Sequence, residues 1–265
     1  VTLILAALAA LTVPPDPVRQ GGTIRVTIEG PADAPVAEFA GLTVRLFAQP
    51  DGEYLGLMPV RVDQPTGIHP LVIRDAQGQE LRRLDIEVRD AVFPRQNIRV
   101  TTRMKTLDPL PGELEAVRAF YSAVSDKRLW VEPLLQPTRD CMNSPFGVLR
   151  LYNGVYSGNF HRGMDLRSPA GRPVRAVTSG KVRIARMYRL HGGTVGLDHG
   201  QGLASIYLHL SRILAREGRS VKRGEIIGRV GATGFATGPH LHWGLYVNGV
   251  PVNPLQWIPG IRACP

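Results

Sequence analysis

The chain has 265 residues, enough for two domains of ordinary size, and its 43% hydrophobic and 20% charged content exclude a disordered chain. The net charge of +10 implies an acidic partner or surface, but the arginines are evenly spread and form no basic run interleaved with aromatics, so nucleic acid is not expected. With 22 prolines and 29 glycines scattered along the length, short strands and turns should outnumber helices.

Val1–Val13 (VTLILAALAALTV) is an uncharged apolar run. It is shorter than the roughly 20 residues that span a bilayer, and it has the h-region and small-residue end of a secretory signal. Residues 1–16 are read as a signal-peptide remnant or apolar leader, which places the protein outside the cytoplasm and lets it touch a membrane only if the leader is kept; the other reading is a first core strand, which the following PPDP would end at once. In the next stretch, Thr23–Glu29 (TIRVTIE), Leu42–Phe47, Leu71–Arg74 and Leu81–Val88 alternate with period two. Gly21-Gly22, Pro50-Asp51-Gly52 and Gln77-Gly78 supply turns. This predicts an N-terminal immunoglobulin-like β-sandwich over residues 17–100. His69 stands alone there and is read as a packing residue.

Residues 101–136 are read as a linker with one helix, Glu113–Lys127, whose apolar face is Leu114, Val117, Phe120, Tyr121 and Val124. Pro133 and Pro137 follow it. From 137 to 259 the texture is glycine-rich β. Strands are expected at Val174–Ala176, Gly180–Met187, Thr194–Asp198, Ala204–Leu208, Ile226–Val230 and Leu241–Val247, with a single helical turn at Ser211–Glu217 and a short tail at 260–265. Cys141 and Cys264 form no CxxC pair, which argues against a thiolate metal site. In an oxidising compartment they could close this segment into one loop; otherwise they are two separate buried thiols.

Six of the seven histidines follow residue 160. In HRGMD, His161 and Asp165 can converge if the chain turns at Gly163. In GPHLHWGL, His240 and His242 lie two apart on a strand and share a face, while Leu241 and Trp243 face a core. In IYLHLS, His209 would ordinarily be a satisfied core histidine; beside the other two motifs it becomes a second proton-handling group. His199 and His191 read as structural and solvated, respectively.

In order and in surrounding text, these motifs resemble the lysostaphin/LytM-type zinc endopeptidases. The likeness spans about Ser144 to Pro254 and includes SPFG (Ser144–Gly147), HRGMDL (His161–Leu166), SPAGRPVRAVTSGKV (Ser168–Val182), GGTVGLDHGQGLASIYLHLS (Gly192–Ser211) and VKRGEIIGRVGATGFATGPHLHWGL (Val221–Leu245). It is nearest to Gram-negative envelope members in which a β domain precedes the peptidase. The resemblance implies an antiparallel β-sheet peptidase domain and one Zn2+ per chain held by His161, Asp165 and His242, with His209 and His240 catalytic. A tyrosine shortly before the first ligand often steadies the transition state in that family; Tyr156 and Tyr152 are both candidates here. The implied substrate and partner is peptidoglycan, cut at D-alanyl–diaminopimelate cross-links in the periplasm, with an envelope regulatory protein as a further partner. The alternatives are a non-cutting LytM-like activator of a cell-wall amidase and a wall-binding module; the complete ligand set argues against the first.

Overall fold

Alternation along Thr23–Ile28 puts Ile24, Val26 and Ile28 on one face, each 2% exposed or less, with Arg25 and Thr27 half-buried on the other. The same logic builds the first of two units into which this computed structural model divides, residues 1–91 and 92–265. The structure describes residues 11–12, 17–29, 33–258 and 260–265. The first unit contains β1 (Leu11–Thr12), β2 (Val18–Arg19), β3 (Thr23–Ile28), β4 (Val36–Phe39), β5 (Leu42–Arg45), β6 (Phe47–Ala48), β7 (Tyr54–Pro59), β8 (Gly67–Arg74) and β9 (Glu80–Arg89). They form two sheets, ordered β1-β3-β7-β6 and β2-β9-β8-β4-β5. One core closes between them, joining Ile24, Val26 and Met58 to Phe39, Leu71, Ile73 and Val88. This is the sandwich expected from the period-two pattern. Of the apolar leader, only Leu11–Thr12 are described, as a strand paired with Thr27–Ile28; the rest lies outside the described residues.

The second unit opens with β10 (Arg95–Ile98), α1 (Thr102–Lys105) and α2 (Glu113–Ser122), followed by β11 (Met142–Ser144), β12 (Leu149–Tyr152), β13 (Val155–Phe160), β14 (Met164–Leu166) and β15 (Pro173–Arg175). Then come β16 (Gly180–Met187), β17 (Gly193–Gly200), β18 (Leu203–Leu210), β19 (Arg212–Ile213), β20 (Ser220–Val221), β21 (Ile226–Arg229), β22 (Leu241–Val247) and β23 (Val250–Val252). Its main sheet runs β11-β14-β22-β18-β17-β16-β20, antiparallel at every described pairing, and is flanked by the small sheets β10-β12-β13 and β15-β21-β19.

Three expectations need correction. The division falls after Ala91 rather than at Val100, because β10 pairs in parallel with β12 of the second unit. The helix stops at Ser122 rather than Lys127: the Ser125 carbonyl accepts from Gln201 N and Leu129 N donates to the His199 carbonyl, so this backbone is spent on the β17–β18 hairpin. The segment Ser211–Glu217 forms β19 and a turn, since Ser211, Leu214 and Ala215 donate to carbonyls of β21. Helix α2 packs Val117 and Phe120 against Ile184, Ile206, Leu208 and Tyr246 of the main sheet, while Leu114 and Val124 remain exposed. It is therefore part of the second unit's fold.

Cys141 and Cys264 form a disulfide across a sequence separation of 123 residues. It fastens the tail to β11, where Met142 exchanges backbone hydrogen bonds with Arg262 and Cys264. The double variant Cys141→Ser/Cys264→Ser should lose about 2–5 kcal/mol, read as a fall in Tm under conditions where both proteins unfold reversibly.

Behind the main sheet His199 is fully buried, with Nδ1 2.8 Å from the Ser179 carbonyl and Nε2 2.7 Å from Ser205 Oγ. Burial pushes its imidazole down to about 4. The unfolded chain, titrating near 6.5, takes up this proton first as pH falls, so stability declines from about pH 6.5 to about pH 4, by up to roughly 3 kcal/mol. His199→Gln should flatten that part of the stability–pH curve in urea denaturation; an unchanged curve would show that His199 contributes none of it.

Candidate metal centre and catalytic site

Asp165 on β14 and His242 on β22 are directly opposed in antiparallel register, which places both side chains on one face of the sheet. His161 precedes β14 and turns back onto them. The three donor atoms form a nearly equilateral triangle. His161 Nε2 lies 3.0 Å from His242 Nδ1 and 3.0 Å from Asp165 Oδ1, and His242 Nδ1 lies 2.9 Å from the same oxygen. Among the described residues this is the one cluster of histidine, cysteine or acidic side chains suited to a metal.

Hydrogen bonding alone does not account for that triangle. His161 Nδ1 is 2.9 Å from the Pro145 carbonyl, which can only accept, so the ring's proton sits on Nδ1 and Nε2 offers a bare lone pair. One imidazole proton on His242 cannot serve both remaining neighbours. A cation at the centre satisfies all three donors. Around tetrahedral zinc, with bonds of about 2.0–2.1 Å, neighbouring ligand atoms lie about 3.3 Å apart, close to the edges seen here. Two nitrogens and one carboxylate oxygen are a zinc donor set that leaves the fourth position to substrate or solvent. The residues present therefore fit the ion.

The electrostatics agree. Burial lowers the His242 imidazole to about 4 even beside Asp165, keeping it unprotonated and able to ligate. Arg150 on β12 donates from Nη2 to Asp165 Oδ2 at 3.1 Å, fixing the carboxylate from behind.

His209 reaches this face through an irregularity. Tyr207 opposes Trp243 and Leu208 opposes His242, so strict alternation would send His209 to the Tyr207–Trp243 face, away from the triangle. Instead β18 carries one extra residue between its pairings with Val195 and Gly193 of β17, and His209 adopts φ +63°. This bulge re-aims the ring, at a backbone cost of about 1 kcal/mol. The His209 centroid lies 4.8 Å from that of His240 and 6.1 Å from that of His242. His209 Nδ1 donates to the Thr233 carbonyl at 2.8 Å and His240 Nδ1 to the Gly238 carbonyl at 2.8 Å, so each has a free Nε2. His240 Nε2 lies 3.8 Å from Asp165 Oδ1. Burial, with His240 and His242 adding to it, pushes the His209 imidazole down to about 3.

The model of peptidase family M23 matches residues 159–254, which hold all five of these side chains. A crystal structure of an M23 peptidase from Pseudomonas aeruginosa matches with a TM-score of 0.70 at 31% identity, over 92% of this chain and 95% of that one. The chain belongs to peptidase family M23. Among curated relatives of this M23 protein, the DD-carboxypeptidase/endopeptidase Mpg of Neisseria meningitidis serogroup B is 41% identical over 126 residues, 48% of this chain and 28% of that protein. The peptidoglycan DD-endopeptidase ShyA of Vibrio cholerae is 44% identical over 115 residues, 43% of this chain and 27% of that protein. The match thus spans under a third of either curated relative.

Within the M23 module the five residues singled out by motif, His161, Asp165, His209, His240 and His242, lie together. The tyrosines separate: Tyr152 lines a groove of about 600 Å³ with His161, His242 and Leu208, whereas Tyr156 is 57% exposed and is not among the residues lining it. His191, expected to be solvated, also lines the groove, and its Nδ1 lies 2.7 Å from a Glu113 carboxylate oxygen. Arg150 and Glu113 had no motif to mark them: Arg150 meets Asp165 15 residues away across the β12–β13 hairpin, and Glu113 meets Leu190 77 residues away.

Gly163 shows how tightly the ligand loop is drawn. A Cβ there would lie 2.5 Å from the Trp243 carbonyl oxygen and 2.8 Å from His242 Nε2. Gly163→Ala is therefore expected to displace His242 and weaken zinc binding about 10–100-fold, the usual scale for disturbing a ligand's support. Competition against a chromophoric chelator measures this, and wild-type affinity would show that the strand absorbs the methyl group.

Proposed function

We propose that this M23 protein is a zinc-dependent endopeptidase that hydrolyses peptide cross-links of bacterial peptidoglycan, at D-alanyl–diaminopimelate bonds, outside the cytoplasm. The observation that carries the reading is the three-donor triangle with two imidazoles, each with a free Nε2, on the same face. The names of the curated relatives, a DD-carboxypeptidase/endopeptidase and a peptidoglycan DD-endopeptidase, support the substrate. A net charge of +10 suits an anionic wall polymer, and the Cys141–Cys264 disulfide suits an oxidising compartment. Arg118 and Arg162 line the groove, and Arg99 and Arg189 line a neighbouring cavity of about 580 Å³ against Thr233 and Gly234. Stem peptides rich in carboxylates would meet guanidinium groups in both.

His161, Asp165 and His242 would hold the zinc, which when bound supplies a Lewis acid for the scissile carbonyl and lowers the pKa of water toward neutrality. His209, unprotonated at neutral pH with its Nδ1 proton committed to Thr233, accepts the proton of the attacking water at Nε2. The proton taken up at Nε2 then goes to the departing amine, which leaves His209 unprotonated again. His240, its Nδ1 proton given to the Gly238 carbonyl, presents the Nε2 lone pair beside Asp165 and is placed to accept a hydrogen bond from the attacking water, sharing the handling of its proton.

Digestion of purified sacculi with and without chelator, followed by identification of the released peptides, tests the reading. New amino termini on diaminopimelate, lost with chelator and regained with zinc, are expected. Intact sacculi under all conditions would remove the hydrolase and favour a binding or activating role.

A further inference from the structure

The Glu113 carboxylate is 1% exposed, yet the mechanism above does not use it. It sits in the first turn of α2, which lies outside the segment matched by the family model. One oxygen, Oε2, accepts from Leu110 N at 2.8 Å on the helix's own side and from Arg189 N at 3.1 Å. The other, Oε1, accepts from Leu190 N at 3.0 Å, His191 N at 2.9 Å and His191 Nδ1 at 2.7 Å. Burial would raise this carboxyl, but the surrounding N–H groups outweigh that and hold it below its usual value. A buried anion gathering three consecutive amides of one loop fixes that loop's path.

The loop in turn holds His209. The His191 carbonyl accepts from His209 N at 3.2 Å, at the residue with φ +63°. Gly192 presses on Thr233, whose carbonyl orients the His209 ring: a Cβ on Gly192 would lie 2.4 Å from that carbonyl oxygen. Gly193 N donates to Thr233 Oγ1 at 2.9 Å, and Phe235 N donates to the Leu190 carbonyl at 2.8 Å. Thus the His209 N–H is held by His191 directly, and Thr233, which accepts from the His209 ring and donates from its N to the His209 carbonyl at 3.4 Å, rests on Gly192 and Gly193.

We infer that Glu113 is a positioning residue of the active site, acting through residues 189–193 to hold His209 against its natural strand alternation, so that α2 is a working part of the peptidase. This rests on the hydrolase reading for its kinetic consequence but not for its structural one. Misplacing a reacting group by about 1 Å can cost on the order of 10²-fold in rate.

The test compares wild type, Glu113→Gln and Phe120→Leu in the full chain. Glutamine keeps the size but offers one acceptor oxygen where two are used, whereas Phe120→Leu loosens the same helix while leaving both Glu113 oxygens in place. Glu113→Gln should lower kcat about 10–100-fold with KM and zinc content near wild type, and hydrogen exchange at the amides of residues 189–191 and His209 should accelerate. Phe120→Leu, even with a comparable fall in Tm, should keep kcat and that protection. Unchanged kcat in Glu113→Gln, unchanged exchange, or an equal loss in Phe120→Leu would overturn the inference. If wild type itself cuts nothing, the hydrolase reading fails, and the exchange at His209 alone decides whether the clamp exists.

Discussion

Asp165→Ala should leave the protein folded, strip it of zinc and abolish turnover together. The substitution removes the only anion of the triangle, so His161 Nε2 and His242 Nδ1 face each other across 3.0 Å, and it removes the carboxylate to which Arg150 donates. A cation entering that site would meet two neutral nitrogens and an unpaired guanidinium. If losing the charged ligand costs the ion as much as breaking a buried ion pair costs a fold, about 3–5 kcal/mol, metal affinity should fall roughly 10²–10⁴-fold. Zinc quantified per chain after dialysis, together with peptide release, measures both losses. Asp165→Asn separates the contributions: it keeps an oxygen ligand but not the charge, and should bind zinc between wild type and Asp165→Ala. One tightly held zinc in Asp165→Ala would mean that the ion sits elsewhere.

His209→Ala should behave in the opposite way. Its ring makes no bond to His161 or Asp165, so zinc content should match wild type while kcat falls about 10²–10⁴-fold, the range for losing a positioned proton-transfer group. The same change replaces a histidine at φ +63° by alanine at a conformation neither adopts easily, so any change in Tm should be small compared with the loss in rate. His240→Ala should also keep its zinc. Full hydrolysis by His209→Ala would end the assignment of that side chain.

Much of this centre was legible because its parts are short-range. His161 and Asp165 lie within five residues around a glycine, and the His240/His242 spacing matches the two-residue repeat of a strand. The β-sandwich was legible for the same reason, since alternation is local. What escaped depends on partners far along the chain. By alternation His209 belongs in the core; the extra residue of β18 that brings it out exists only once β17 is alongside. Glu113 looks like an ordinary first-turn acid of an amphipathic helix until residues 189–191 arrive beneath it. The end of α2 at Ser122 was similarly hidden, because Ser125 and Leu129 give their hydrogen bonds to a hairpin some 70 residues away. The tyrosine choice needed the groove itself, which encloses Tyr152 and leaves Tyr156 outside.

The bond between Cys141 and Cys264 has a consequence for durability as well as folding. Both ends of the metal-binding set, His161 and Asp165 early and His242 late, lie inside the ring it closes. A foreign protease that nicks the exposed turn at Arg216–Gly218 would split the polypeptide between them, yet the two fragments would stay tethered by sulfur and held together by β18 against β22. A cut that would dismember an unbridged chain would thus leave the three donor residues on one covalently joined molecule.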